Sequence, residues 1–217
     1  MTSTWGVGQY VDRAVRRIAW EVSHDEIRRD TDGATTRLEA IGVEPGRRVL
    51  WCSMLSEAAQ FWPYIIATMV RGAQLSCADA TRGEAVRVAM FTRQMTYHAV
   101  LGVNGALLDG LDDLGRPYAD VFHDVSVLGA RPDAHDRLVA AGLRPTHFVL
   151  AGPAVAVGDE PGAPARVDPT EWELHDIDNL VAVTNLAERA SRFDRTATAI
   201  HARQITTDTF APFLPVR

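Results

Sequence analysis

Residues 42–103 read GVEPGRRVLWCSMLSEAAQFWPYIIATMVRGAQLSCADATRGEAVRVAMFTRQMTYHAVLGV. Three apolar, β-prone runs in this stretch, residues 49–53, 73–78 and 98–103, alternate with two helix-length segments, 57–71 and 83–95. Strand, helix, strand, helix, strand at this spacing predicts a parallel sheet with helical crossovers. In the first of the two helices Phe61, Tyr64, Ile65, Thr68 and Met69 make an apolar stripe suited to helix-to-sheet packing. Trp62 and Pro63 either share that packing or line a ligand pocket. Gly72 ends the helix, and Thr81 suits an N-cap for the next one.

Working outward toward the N-terminus, Ser23 followed by Asp25 and Glu26 marks a helix start that should run to about Ala40 and stop at Gly42. Before it, Tyr10, Val11, Ala14, Val15 and Ile18 fit helical spacing, so residues 10–20 are expected as an Arg-rich helix and residues 1–10 as a loose lead-in. Toward the C-terminus the pattern predicts a helix over 106–114, a strand at 125–128, a helix over 134–141 and a strand at 147–150. Residues 158–165 are rich in Gly and Pro and read as a loop into a small β region holding strands at 172–177 and 180–184. Little pattern follows Ile205. The predicted fold is α/β: a mostly parallel sheet with helices on both faces over residues 1–157, plus a small C-terminal β region and tail over 158–217.

Composition narrows the function classes. The 217 residues are 47% hydrophobic and 23% charged, which is ordinary globular material with enough chain for a sizeable core. A net charge of −6 supplies no basic footprint for nucleic acid or an anionic membrane. No apolar run approaches membrane-spanning length and the first residues lack a secretory apolar region, so a cytoplasmic protein is expected. Cys52 and Cys77 both fall in predicted strands and are expected as small buried core residues. All 22 basic residues are arginine; the absence of lysine excludes Schiff-base and Walker-type lysine chemistry within these residues.

Common catalytic signatures are missing. His123-Asp124, His135-Asp136 and His175-Asp176 are adjacent pairs that point apart on either a strand or a helix, and no two histidines have the i, i+4 spacing of a helical metal site. There is no G-x-S-x-G elbow and no glycine-rich dinucleotide turn after the first strand of the quoted stretch. Gly6-x-Gly8 has no predicted strand before it and is weak as a phosphate signal.

Five segments in order resemble the large domain of adenylate-forming enzymes, and among these the phenylacetate–CoA ligase branch. They are WEVSHDEIRRDTDGATTRLEAIGVEPGRRV (20–49), VRGAQLSCADATRGEAVRVAMFTRQMTYHAVLGV (70–103), VLGARP (127–132), GPAVA (152–156) and LVAVTNLAERASRFDRTATAI (180–200). The resemblance implies a domain that activates a carboxylic acid with ATP and passes the acyl group to CoA. It also places the adenine turn at 129–132, and it suggests Gly129, Thr184, Arg195 and Thr198 as retained nucleotide-site positions.

Departures from the family pattern fall on the groups that chemistry needs. The Ser/Thr/Gly-rich phosphate loop should lie before the first long helix, where this chain has TSTWGVGQYVDR. The Tyr-Gly-x-x-Glu motif falls on HFVLAGP, with Ala151 near the glutamate, and the adenine-turn glutamate falls on Arg131. The ribose-binding aspartate falls on Ile200, and the family's C-terminal domain with its lysine has no counterpart in these residues. Losing one such electrostatic donor costs about 3 kcal/mol of transition-state stabilisation, and several are changed together.

The resulting expectation is a non-catalytic, ligase-like binding or partner protein, with no required cofactor (ATP and CoA binding both in doubt) and no metal, beside a full-length acyl-CoA ligase or other pathway protein. One alternative is an aromatic-acid or acyl-CoA binding protein or enzyme whose pocket is lined by Trp62, Tyr64, Phe91 and Tyr97. Another is a homodimer formed through an exposed sheet edge or the Arg-rich first helix.

Overall fold

The computed structural model describes residues 3–215. It opens on a hairpin in which β1 (Thr4–Val11) pairs antiparallel with β2 (Arg17–Ser23). This corrects both N-terminal expectations: residues 4–11 are ordered strand, and 10–20 hold no helix. The deciding pattern has a period of two. Gly8, Tyr10, Trp20 and Val22 turn inward, while Val7, Val11, Arg17, Ala19 and Glu21 face out. Gly8 is glycine for packing: a Cβ there would stand 2.3 Å from the Trp20 ring.

The helix α1 (His24–Ala40) begins in a capping box, with the Ser23 hydroxyl accepting from Glu26 N–H at 3.2 Å and the Glu26 carboxylate accepting from Ser23 N–H at 2.7 Å. Gly42, at φ +83°, then takes the left-handed turn that ends it. The quoted stretch follows as expected: β3 (Arg48–Cys52), a 3-10 turn (Leu55–Glu57), α2 (Ala58–Val70), β4 (Gln74–Ala78), a second 3-10 turn (Arg82–Glu84), α3 (Ala85–Gln94) and β5 (Ala99–Val103). Then come α4 (Gly105–Asp113), α5 (Tyr118–Phe122), β6 (Val127–Ala130), α6 (Pro132–Ala140) and β7 (Thr146–Ala151). The rest is β8 (Ala154–Gly158), β9 (Ala165–Arg166), β10 (Trp172–Ile177), β11 (Leu180–Asn185), β12 (Thr196–Gln204) and β13 (Thr209–Pro212).

These strands, apart from β1 and β2, form one eleven-stranded sheet in the order β10-β11-β12-β13-β9-β8-β7-β6-β5-β3-β4. From β4 to β7 every pairing is parallel; from β7 to β10 every pairing is antiparallel. The expected boundary at 157/158 falls within β8, whose ladder continues into β9. The segment after Ile205, expected to lack structure, supplies β13, which bridges β12 and β9.

Strand alternation divides the core. Val49 and Trp51 face α1 and α2, where Trp51 meets Phe61 and Phe148 edge to face, Tyr64 meets Phe148 the same way, and Phe61 stacks on Phe148. Leu50 and Cys52 face the other way, against α3, α4, α5 and α6. A third cluster seats the hairpin on the antiparallel half through Tyr10, Trp20, Trp172 and Phe193.

Three local expectations change. Pro63 is buried, but Trp62 is 41% exposed on the outer side of α2 and does not pack against the sheet. Thr81 makes no side-chain cap bond, whereas Asn104 caps α4 by accepting from Leu107 N–H at 2.9 Å. Cys52 is buried, but Cys77 is exposed because β4 is an edge strand.

Candidate functional site

The crevice outside the carboxyl ends of the parallel strands is where α/β sheets hold ligands. Here it contains a cavity of about 450 Å³. Its walls come from β1 of the hairpin (Gln9, Tyr10), the 3-10 turn before α2 and the start of that helix (Glu57, Gln60), the β6–α6 turn (Arg131, Pro132) and the end of β7 (Leu150, Gly152), with Ile200 of β12 and Leu214 opposite.

Turn chemistry positions the first of these groups. Gly152 and Pro153 make the two-residue connection from β7 to β8, with Gly152 at φ +64°, and a Cβ there would meet the Thr198 methyl at 2.9 Å. The Gln60 amide donates to the carbonyls of Gln9 and Gly152 at 2.9 and 3.1 Å, tying hairpin, helix and β7 together. Gln60 is 3% exposed, and its Oε1 has no partner.

Arg131 and Glu57 join across one end of the cavity. Two guanidinium nitrogens donate to the two Glu57 oxygens, both at 2.6 Å, and Arg131 lies 5.2 Å from the Phe61 ring centre. Glu57 Oε2 also accepts from Met54 N–H at 3.1 Å. The third guanidinium nitrogen of Arg131, Nε, is buried without a partner.

The hairpin turn beside the cavity is organised by Asp12. Its Oδ1 accepts from the N–H groups of Ala14 and Arg16, and its Oδ2 accepts from the Arg16 guanidinium at 2.9 and 2.7 Å. Asp12 N–H donates to Arg16 O and Val15 N–H to Asp12 O. Those hydrogen bonds, led by the Arg16 guanidinium, hold the Asp12 carboxyl below its ordinary pKa. Arg17, the next residue, is exposed at the cavity rim and makes no ion pair among the described residues.

None of the four positions suggested from sequence lines this cavity. Gly129 sits in β6, where a Cβ would stand 2.8 Å from a Leu101 methyl. Thr198 is buried; its hydroxyl donates to Val181 O and accepts from Ile200 N–H. Thr184 and Arg195 do come together, since the Thr184 hydroxyl accepts from Arg195 N–H at 2.9 Å and contacts His175 Nε2. The pocket proposed from Trp62, Tyr64, Phe91 and Tyr97 does not assemble: Tyr64 packs on one face of the sheet, Phe91 and Tyr97 on the other, and Trp62 points outward. Glu57 and Gln60 were missed. Their only sequence signal was polarity at the start of an otherwise apolar helix.

Solved structures share this fold. A 2-hydroxyisobutyryl-CoA ligase in complex with 2-HIB-AMP and CoA superposes with a TM-score of 0.66 at 15% identity, over 98% of this chain and 52% of the other. The Klebsiella oxytoca NpsA N-terminal subdomain in complex with anthranilyl-AMSN gives 0.65 at 10% identity, over 97% and 64%. The chain has the adenylate-forming fold. It spans about half the length of these ligase structures. No family model matches the sequence, and no curated protein does. Among the described residues of this adenylate-forming fold, no three His, Cys, Asp or Glu side chains converge to hold a metal ion, and no helix is long and apolar enough to cross a membrane.

Proposed function

We propose that this chain is a non-catalytic member of the phenylacetate–CoA ligase-like group, acting as a binding or partner protein through the cavity at the carboxyl ends of its parallel strands. The observation that carries this reading is the hairpin turn. The resemblance puts a phosphate-holding loop in this region, and a phosphate loop works by offering free N–H donors to an anion. Here the turn's donors at Asp12, Ala14, Val15 and Arg16 are satisfied internally, and a carboxylate sits among them. Two further features favour the same reading: Ile200 presents hydrocarbon where a ribose acceptor is expected, and Arg131 is committed to Glu57 where an adenine-turn acid is expected. These residues do not suit a nucleotide.

A true acyl-CoA ligase or another enzyme acting on acyl compounds is the partner class this fold suggests. The test is acid-dependent exchange of pyrophosphate into ATP across aliphatic and aromatic acids. Background-level exchange with every acid is expected, and robust exchange with any one of them rules the proposal out.

A further inference from the structure

We infer that this chain forms a two-fold dimer by pairing β4 antiparallel with β4 of a second copy, Ser76 lying on the axis, so that the large sheet runs on from one copy into the other. The inference does not depend on what the crevice holds, and exchange activity would leave it standing.

Of the two dimer surfaces expected from sequence, the Arg-rich first helix does not form, which leaves a sheet edge. The large sheet has two edges, β10 and β4, and they are built differently. The β10 edge is closed. Its Trp172 N–H donates to Asp168 O, its Leu174 N–H donates to Thr207 O, and Leu174 O accepts from the Gln204 amide at 2.8 Å. Glu173 and Asp176 add charge along it.

The β4 edge is open. Gln74 N–H donates to Arg47 O and Ala78 O accepts from Ser53 N–H, so Gln74, Ser76 and Ala78 turn their main-chain groups toward β3. Leu75 and Cys77 therefore turn theirs outward, where no other strand of the sheet lies. The strand reads QLSCA, with no charge, proline or bulge, the devices that keep an edge from pairing. A two-fold through Ser76 sets Leu75 against the partner's Cys77, the outward residues of each pair exchanging main-chain bonds. A two-fold through Cys77 would instead set Leu75 against the partner's Asp79.

Helix α2 says what covers this edge. Gln60 and Tyr64 face α1, Arg71 reaches Glu39 of α1, and Phe61, Ile65 and Thr68 face the sheet. Because α1 lies toward the antiparallel half, where Arg37 meets Asp159, the side of α2 turned from α1 overlooks β4. That side holds Trp62 and Met69, seven residues apart on one helix face and 41% and 49% exposed. From the Ala73 turn to Ser76 the strand rises about 10 Å, which a helix covers in about seven residues, so Ser76 stands level with the stretch between Trp62 and Met69. The two-fold then puts Trp62 against the partner's Met69 and Met69 against the partner's Trp62, a sulfur–aromatic contact made twice. A lone peptide strand would leave both side chains exposed. A second copy covers both.

Sedimentation velocity over a range of protein concentrations tests this, alongside the rate at which a disulfide-exchange reagent attacks Cys77. A monomer–dimer equilibrium that goes no further is expected, and the fast Cys77 reaction of the dilute chain should slow as the dimer fills. Cys77→Lys, Trp62→Arg and Met69→Glu should each weaken dimerisation roughly tenfold or more, with the melting temperature of the dilute chain unchanged. Trp62→Arg and Met69→Glu chains mixed together should dimerise again, because each contact of the mixed dimer joins either the two opposite charges or the two original side chains. Both helix positions are exposed, so these variants keep the test should Cys77→Lys fail to fold. A chain that stays monomeric at every concentration, association beyond two copies, a dimer that all three single variants leave intact, or no recovery on mixing would overturn the proposal.

Discussion

Asp12 and Arg16 face each other across the hairpin turn, the Oδ2 of Asp12 accepting both Nε–H and Nη2–H of Arg16 while its Oδ1 takes the Arg16 main-chain N–H. One carboxylate thus closes the turn from inside. Replacing it should loosen the hairpin: Asp12→Ala is expected to lower the melting temperature more than Asp12→Asn, which can keep the main-chain bonds. The Asp12 pKa is lowered in the folded state, so the unfolded chain binds its proton first. Its contribution is therefore complete above the ordinary carboxyl range and lost as pH falls through and below it. Melting temperature against pH should drop less steeply in acid for Asp12→Asn than for the unmodified chain.

A buried ion network fastens α1 to the C-terminal strands. Arg189, whose side chain is 3% exposed, meets Asp30 and Glu171 at 2.6 Å and lies 4.2 Å from the centre of the Trp172 ring. Arg29 pairs with the other Glu171 oxygen at 2.8 Å. Arg189→Met would leave Asp30 without its cation and Glu171 with Arg29 alone, and urea unfolding should show a loss of about 3 kcal/mol. Arg189→Lys should recover only part, because a point charge cannot reproduce the fork or the stacking.

The two cysteines should be chemically distinct. Burial pushes the Cys52 thiol up to about 12, while Cys77 is exposed on the edge strand β4. A disulfide-exchange reagent added to the native protein should titrate one thiol quickly and the second only on unfolding. Cys77→Ser should abolish the fast phase.

His147 predicts an acid-labile joint between α6 and β7. Its ring stacks on His135 at 3.9 Å, and burial first, then the neighbouring His135, push its pKa from the ordinary 6.5 down to about 4, against a smaller opposing effect of Asp136. Because the folded value is depressed, this histidine's contribution is complete above 6.5 and is lost as pH falls from there to about 4. Allowing for the ring's partial solvent contact, the loss should be about 2 kcal/mol in urea titrations compared at the two ends of that window. His147→Phe should flatten the dependence.

Sequence reading succeeded where one periodicity had no competitor. The β3–α2–β4–α3–β5 alternation and the Ser23 cap could be read directly, because local pattern and tertiary role agree there. It failed at residues 10–20. Spacing of Tyr10, Ala14 and Ile18 fits a helix as well as Ile18, Trp20 and Val22 fit a strand, and only the partner strand and the Gly8–Trp20 contact decide between them. β13 was missed because its pairing residues in β9 and β12 carry the ladder and its own four residues carry little pattern. At the candidate site Arg131 and Ile200 stood out as departures from a resembling family. Glu57 did not, since its partner lies 74 residues away and nothing local to Glu57 announces the pair. Asp12 was hidden for a local reason instead: residues 10–20 read as a helix, and only in a hairpin turn does its carboxylate accept from Ala14 and Arg16.

The central proposal, that this chain does not hold a nucleotide, is tested most directly by calorimetric titration of Mg-ATP into the chain. The account predicts no saturable heat, and none gained by adding an aromatic acid. Saturable, stoichiometric ATP binding would contradict it, most plainly if Ile200→Asp tightened that binding.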